Sequence, residues 1–203
     1  MKRIFLGLIV TIVTVSMLFG FVGCTKETPA EYFDYYYDPN REGIVITGFS
    51  NKADILSVVI PKRINKHPVT CIGEKAFRSE YFKSITIPNT VIEIGNDAFF
   101  YCKSLASITI PDSVTKIGND AFAGCESLND VIIPNGVTEI RACTFSNCIR
   151  LSTVTIPDSV KKIGSLAFSG CISLTNVTIP DSVEYIDPTA FERTGVKLPE
   201  RFN

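Results

Sequence analysis

The apolar positions of this chain recur every 23 residues over most of its length. Proline occurs at positions 88, 111, 134, 157 and 180, and cysteine occurs at positions 102, 125, 148 and 171. Regular units begin at Lys83, Ala106, Asn129, Ser152 and Thr175, and an irregular first unit runs from about residue 55 to residue 82. Self-similarity at such a period is typical of a repeat protein, in which stacked units bury a core that one unit cannot.

The unit at residues 106–128 predicts a strand, a turn and a short helical segment, in that order. Its strand alternates apolar Ile108 and Ile110 with polar neighbours, the period of a strand with one buried face. Pro111 ends the strand because it cannot donate a ladder hydrogen bond. The later apolar residues are spaced one, three and three apart, which suits a short helical turn. The inward positions are therefore Leu105, Ile108, Ile110, Val114, Ile117, Ala121, Phe122 and Cys125.

Stacking these units predicts a repeat solenoid, a right-handed β/α coil with short parallel strands. At a parallel-strand spacing of about 4.8 Å, six coils make a rod about 30 Å long. One phenylalanine per coil then forms an internal column, at positions 77, 99, 122, 145, 168 and 191. The open ends need caps. Residues 43–48 are expected to form a strand over the first coil, and residues 196–199 a truncated seventh strand at the other end.

These units resemble the BspA-like leucine-rich-repeat family, whose unit reads roughly L-x-x-I-x-I-P-x-x-V-x-x-I-G-x-x-A-F-x-x-C-x-x-L. The match covers residues 55–198 and recurs in register. The first, irregular unit also looks like the family's first coil, with Ile60-Pro61, Ile72-Gly73 and Ala76-Phe77. The resemblance implies a secreted or surface-bound protein of the adhesion class, and it identifies no ligand.

The first 23 residues have the features of an export signal. Lys2 and Arg3 precede an almost wholly apolar run over residues 4–22, and Gly23 precedes Cys24. This ending is similar to a bacterial lipobox, although Phe21 stands where lipoboxes prefer leucine. The similarity implies cleavage before Cys24 and a diacylglycerol on its thiol. The alternatives are an uncleaved transmembrane helix, for which the run is long enough, and ordinary secretory cleavage.

The predicted organisation therefore has three parts: a lipoprotein signal peptide at residues 1–23, a lipidated Cys24 with a tether at residues 24–42, and the solenoid with its caps at residues 43–203. We expect a bacterial cell-envelope protein held to the membrane by lipid and exposed at the surface.

Charge and histidine content argue against several classes of function. Cleavage would remove two basic residues and no acid, leaving 18 basic and 21 acidic residues, a formal charge of −3. That balance predicts no attraction to nucleic acid. A single histidine, His67, argues against a histidine-based metal site or Cys-His catalysis. We expect no enzyme activity, no metal and no cofactor, since no catalytic grouping or phosphate loop occurs.

Four of the six cysteines after Cys24 replace one another in successive coils. An export signal invites a disulfide framework, but a column of equivalent positions favours buried free thiols, which pack as small apolar side chains. Cys143 lies five residues before Cys148, so a local bridge is an alternative there. Cys71 precedes an inward isoleucine, and the sequence gives no account of it.

Two further features have both a structural and a functional interpretation. Arg141 stands where other coils have glycine, at positions 73, 95, 118 and 164; either the site does not need a positive φ, or the fourth coil is strained, or Arg141 faces a ligand. The aromatic stretch at residues 32–38 either forms a tether and cap or presents rings to a sugar or a protein partner.

The outward strand positions form the candidate binding surface. They are polar and nearly uncharged, which suits hydrogen bonding to a glycan or an extended peptide, although threonine is also simply good strand chemistry. We call these ten residues the hydroxyl strip: Thr86, Thr109, Ile132, Thr155, Thr178, Ser84, Ser107, Asp130, Thr153 and Asn176. The predicted partner is a protein or glycan at the cell surface. The alternative is a scaffold that binds another envelope component.

Overall fold

The computed structural model describes residues 26–50 and 55–202. Within them the chain forms short strands and two short 3-10 helices, at Ala30–Tyr32 and Glu200–Phe202. The strands are β1 Phe33–Asp38, β2 Gly43–Phe49, β3 Ser57–Val59, β4 Arg63–Ile64, β5 His67–Ile72, β6 Ser84–Thr86, β7 Glu93–Ile94, β8 Ser107–Thr109, β9 Lys116–Ile117, β10 Asp130–Ile132, β11 Glu139–Ile140, β12 Thr153–Thr155, β13 Lys162–Ile163 and β14 Tyr185–Ile186.

The repeats form a β-solenoid of six coils in which each coil contributes to parallel ladders. The first ladder contains the strands that precede the repeated prolines, β3, β6, β8, β10 and β12. The second ladder contains β5, β7, β9, β11, β13 and β14. Between regular units, partners lie one period apart, as in Ser84 opposite Ser107 and Glu93 opposite Lys116. The predicted repeat solenoid is confirmed.

The segment expected to form a helical turn instead forms a third column of hydrogen bonds, which we call the turn ladder. The N–H groups of Asp120, Phe122 and Gly124 donate to carbonyls of the next coil, at 3.1, 2.8 and 2.7 Å. These groups therefore cannot make the i to i−4 bonds of an α-helix. Asp120 and Gly124 also have positive φ values of 55° and 73°, outside the helical region. The helical-turn prediction is wrong, although the inward direction of Phe122 and Cys125 is right.

The phenylalanine column is confirmed as the axis of the core. The rings at positions 77, 99, 122, 145, 168 and 191 stack with centroid separations of 5.1–5.4 Å and interplanar angles of 3–14°. The other predicted inward residues of the third coil are buried, except Ile108, which is half-buried. Ile108 is partly open because β8 has no strand partner on its far side.

Both strand ladders are interrupted between the third and fourth coils. β8 and β10 belong to different sheets, and so do β9 and β11. The turn ladder and the stacking of Phe122 on Phe145 continue across the same junction. The third and fourth coils are therefore less closely paired on the strand side, where the Asn129 N–H donates to Ala106 O at 3.4 Å, than on the turn side.

An antiparallel hairpin caps the first coil. β1 pairs with β2, and β2 runs parallel to β5 at the start of the second ladder. Phe33 and Phe49 are buried and pack on Phe77, with ring centroids 6.3 and 5.5 Å away. The strand expected at residues 43–48 is confirmed, and it pairs with residues 33–38, which the sequence-based division places in the tether.

The other end is closed without a strand. Residues 196–199 form no strand, and neither do the predicted strand residues 176–178 of the last coil. A pocket of about 590 Å³ lies beside residues 175–178 and is also lined by Gly195 and Lys197, and the Gly195 N–H donates to Leu174 O at 2.9 Å. The repeat register explains the wrong prediction, because Pro199 arrives four residues before the period would place it. Val196, Leu198 and Phe202 instead pack half-buried against the core.

The predicted signal segment and Cys24 lie outside the described residues. Among residues 26–50 and 55–202, no helix has the length and apolar character that crossing a membrane would require.

Candidate binding surfaces

The structure places the hydroxyl strip along the outward side of the first ladder. Nine of its ten residues are exposed and Ser84 is half-buried. Ladder pairing sets Thr86 beside Thr109 and Ile132 beside Thr155. The side chains therefore repeat at the spacing of neighbouring strands, and Asp130 is the one charged member.

The strip is divided rather than continuous. Its first part lies on β6 and β8, and its second part on β10 and β12. At the division, a cavity of about 390 Å³ is lined by Ile108, Thr109, Asp130 and Ile132, among others. Asn176 and Thr178 follow beyond the second part, outside any strand. The strip is thus not one continuous sheet face, because a 23-residue period fixes the order of the coils but not the distance between two of them.

Ile132 is the one aliphatic residue among the ten residues of the strip, and 67% of its surface is accessible. It stands beside the cavity at the division, so an apolar side chain and a depression occur together in an otherwise polar surface. Sequence reasoning placed Ile132 in the column without giving it a separate role. In the sequence, Ile132 interrupts a series of threonines at equivalent positions of the coils, and this interruption is the feature that could have identified it.

The cysteines at positions 102, 125, 148 and 171 form a buried column of free thiols, as predicted. Each thiol donates to the carbonyl oxygen of a phenylalanine in the preceding coil, for example Cys125 Sγ to Phe99 O at 3.2 Å. Burial raises the pKa of Cys102 to about 12 and raises the pKa of Cys125 well above its usual value. Cys143 and Cys71 are also free. Cys71 is buried in β5, between Val45 of β2 and Glu93 of β7.

The glycine column shows why Arg141 is unusual. Gly118 does not have a positive φ. A Cβ at Gly118 would lie 2.5 Å from the backbone nitrogen of Asn96 in the preceding coil, and one at Gly164 would lie 3.0 Å from that of Ala142. The site therefore needs a small residue because two coils approach closely there. Arg141 occupies the equivalent position at the junction where the strand ladders are interrupted.

The backbone N–H of Arg141 marks the same interruption. The N–H groups of Gly118 and Gly164 donate to Ile94 O and Ile140 O at 2.8 and 2.7 Å. The Arg141 N–H has no hydrogen-bond acceptor among the described residues. Asp187, at the same position of the last coil, does donate, to Ile163 O at 2.9 Å. The last coil therefore keeps its pairing with the preceding coil although Asp187 replaces the glycine.

A groove of about 600 Å³ follows the outward side of the second ladder, and its lining includes Arg141, for which a ligand-facing role is one of the alternatives that the sequence leaves open. We call it the Arg141 groove, and its polar lining includes Asn119, Glu139, Arg141, Lys162, Tyr185 and Asp187. Glu139 accepts from Lys162 Nζ at 3.0 Å. Hydrogen bonds from the Thr189 hydroxyl and then its N–H lower the pKa of Asp187. The loss of glycine at Arg141 and Asp187 was the signal that could have drawn attention to this face.

The aromatic stretch at residues 32–38 acts mainly as part of the cap. Phe33 is buried, and the Tyr35 hydroxyl accepts from Asn65 Nδ2 at 3.1 Å. Tyr37 lies with its ring 4.4 Å from the His67 ring. Tyr36 and Tyr37 remain 52% and 45% exposed, so two rings of the stretch are presented to solvent.

A charged link joins the cap hairpin to the second coil. The Arg41 guanidinium donates to Asp38 at 2.6 Å and to Glu93 at 3.0 Å. The hydrogen bond from Arg41 is the main reason that the pKa of Asp38 is lowered. Among the residues that the structure describes, no cluster of histidine, cysteine and acidic side chains could hold a metal ion.

The geometry defines a class of protein: a leucine-rich-repeat solenoid with a packed interior and long exposed ladder faces. Residues 70–197 match six copies of the BspA type leucine rich repeat region. The chain belongs to this leucine-rich-repeat family, whose members are typically binding scaffolds.

Solved bacterial structures share the fold. A T. pallidum leucine-rich-repeat protein is 28% identical with a TM-score of 0.52, over 78% of this chain and 93% of that one. A leucine-rich cell surface protein from Faecalibacterium prausnitzii is 29% identical with a TM-score of 0.62, over 86% of this chain and 56% of that one. A leucine-rich-repeat protein from Bacteroides ovatus is 28% identical with a TM-score of 0.58, over 88% of this chain and 60% of that one. The chain thus spans little more than half of the last two. No curated protein matches the sequence.

Proposed function

We propose that this protein is a lipid-anchored protein of the bacterial cell envelope that binds a protein or glycan through the hydroxyl strip and so serves adhesion. Family membership supports a binding role, and the similarity to a cell surface protein of Faecalibacterium prausnitzii supports a surface location. The lipobox-like ending at Cys24 supports the anchor. The protein acts by presenting a surface, and not by catalysis.

The observation that carries the proposed site is Ile132 beside the cavity at the division of the strip. Binding surfaces commonly combine an apolar anchor with a surrounding polar rim. Here the anchor is central, and hydroxyl groups on both sides repeat at the spacing of parallel strands, about 4.8 Å. An extended ligand laid across the coils would meet hydroxyl-bearing rows on both sides of the row that holds Asp130 and Ile132. The central isoleucine favours a protein ligand over a glycan at this site.

A pair of variants tests the site. Ile132→Asp places a charge at the proposed anchor, whereas Ile172→Asp makes the same change at a residue that is 61% exposed but lies off the strip. The full-length protein, purified in detergent, is applied to an array of glycans and extracellular matrix proteins. We expect Ile132→Asp to abolish binding to the protein ligand identified with the wild type, and Ile172→Asp to retain it. Equal binding by both variants would refute the strip as the site.

A scaffolding role within the envelope is the second candidate, favoured by the stacked architecture alone. Protease treatment of intact cells separates the two roles. Adhesion requires that the repeats be cleaved from the outside. Repeats that survive on intact cells and are degraded only after permeabilisation would support the scaffold.

The anchor has its own test. Cys24→Ala removes the thiol that would carry the lipid, so we expect loss of fatty-acid labelling and release of the protein from the membrane fraction. Cys143→Ala is the control, because Cys143 lies within the solenoid. Unchanged labelling of Cys24→Ala would overturn the lipoprotein assignment.

A further inference from the structure

The Arg141 groove lies on the second ladder, away from the hydroxyl strip, and has the size of a small-ligand site. Its volume of about 600 Å³ falls within the range of about 300–1,000 Å³ that is usual for such sites. Arg141 lines both this groove and a neighbouring one of about 270 Å³. Arg141 therefore lies next to two depressions on the face of the second ladder.

The charges of the groove leave Arg141 without a partner. Glu139 and Lys162 pair with each other at 3.0 Å. Asp187 accepts from the Thr189 hydroxyl and N–H at 2.6 and 3.0 Å and from the Tyr185 hydroxyl at 3.5 Å, and its carboxylate makes no ion pair with any described residue. The guanidinium of Arg141 makes no hydrogen bond or ion pair with any described residue, although its side chain is half-buried. The unneutralised group is therefore a cation with a planar fork of donors, which matches a carboxylate in two-point hydrogen bonding.

The backbone supplies a further donor at the same residue. The Arg141 N–H lacks the acceptor that its counterparts Gly118 and Gly164 have in neighbouring coils. Both the backbone N–H and the guanidinium of Arg141 therefore lack an acceptor among the described residues. An anion bound there would satisfy both groups, which raises its affinity relative to an isolated surface arginine.

The rest of the lining favours a sugar over a peptide. Tyr185 is 47% exposed, and Lys162 Nζ lies over its ring, 6.0 Å from the centroid, so the C–H face of a pyranose would stack on the opposite face of the ring. The side-chain amide of Asn119 has no partner among the described residues and can bond to ring hydroxyls. Apart from Ala142, the groove contains no aliphatic side chain to anchor a peptide.

We propose that the Arg141 groove binds a carboxylate-bearing sugar, such as a uronic or sialic acid unit of a glycan. The carboxylate accepts from the guanidinium and N–H of Arg141, Tyr185 stacks against the ring, and Asn119 bonds to a hydroxyl. This is a second site on a different face, and it goes beyond the binding proposed for the strip.

Binding of oligogalacturonate to the full-length protein in detergent tests the proposal, with the methyl ester of the same oligosaccharide and an oligoglutamate peptide as comparisons. We expect the free acid to bind at least about tenfold more tightly than either comparison, since the ester lacks the anion and the peptide lacks the ring. Arg141→Gln should weaken binding of the free acid about tenfold, and Tyr185→Ala should weaken binding of the acid and the ester alike. Arg150→Gln, at an exposed arginine outside the groove, should change nothing.

Three outcomes would overturn the proposal: equal binding of acid and ester, tighter binding of oligoglutamate than of the sugar, or unchanged binding by Arg141→Gln. The result is independent of the hydroxyl strip, because Ile132→Asp should leave oligogalacturonate binding intact. Conversely, the ligand of the strip should still bind Arg141→Gln. Failure at one surface is therefore distinguishable from failure at the other.

Discussion

Individual side chains in this protein are determined by their position in the repeat. The cysteine at the third apolar position of the turn ladder is small enough to fit the column, and its thiol finds a carbonyl acceptor in the preceding coil. Periodicity alone predicted these free, buried thiols. It did not predict the environment of Arg141, because the effect of a Cβ at that position depends on how closely the preceding coil approaches.

The cysteine column predicts slow thiol chemistry in the folded protein. Because Cys102, Cys125 and Cys148 are buried, we expect them to resist alkylation in native buffer and to react only on unfolding. Cys143, which is half-buried, should react first. Mass spectrometry after timed alkylation measures the order. Reducing agent should leave the melting temperature unchanged, whereas a fall of several degrees would indicate a disulfide worth about 2–4 kcal/mol.

The same thiols predict a loss of stability in alkali. Burial raises their pKa in the folded protein, to about 12 for Cys102, whereas unfolded cysteine titrates near about 8.5. The unfolded chain therefore releases its thiol protons first, and this contribution to stability is full below about pH 8 and is lost as pH rises toward 12. Denaturant unfolding between pH 7 and pH 10 measures the trend. A Cys102→Ser, Cys125→Ser variant should show a shallower fall, and an identical slope would contradict the explanation.

The elements were predictable to different degrees. Strand positions followed from alternation and from the repeated proline, which marks the end of each first-ladder strand. The helical turn was wrong because the spacing of Phe122 and Cys125 specifies which side chains point inward but not where the N–H groups donate. The seventh strand was wrong because a strand-like residue pattern needs a partner in register, and residues 196–199 arrive early.

Hydrogen exchange tests the interruption of the second ladder. The amides of Gly118 and Gly164 donate to the preceding coil, and that of Arg141 does not. We expect the Arg141 amide to exchange faster than those of the two glycines in the folded protein. Arg141→Gly restores the small residue that close approach of the coils requires, so the amide of residue 141 should exchange more slowly in this variant than in the wild type. Equal protection of all three amides in the wild type would show that the ladder is continuous.

At the scale of the whole molecule, stability is shared between neighbouring coils. The phenylalanine column and the turn ladder run through all six coils, and the thiol column runs through the four middle coils. The strand ladders continue on each side of the junction between the third and fourth coils. The unbroken 23-residue period predicted the stack and its length. It could not reveal that junction, since the third and fourth coils have the same spacing in sequence as every other pair.

Denaturant unfolding of three variants tests the inward and outward assignment on which both proposed sites depend. Phe122 lies between two stacked rings and is fully buried, so Phe122→Ala should cost about 3–5 kcal/mol. Phe191 has one stacked neighbour, so Phe191→Ala should cost less. Thr109 is exposed in the same coil as Phe122, and Thr109→Ala should cost under about 1 kcal/mol. A loss for Thr109→Ala as large as that for Phe122→Ala would contradict the account, because the strip would then belong to the core.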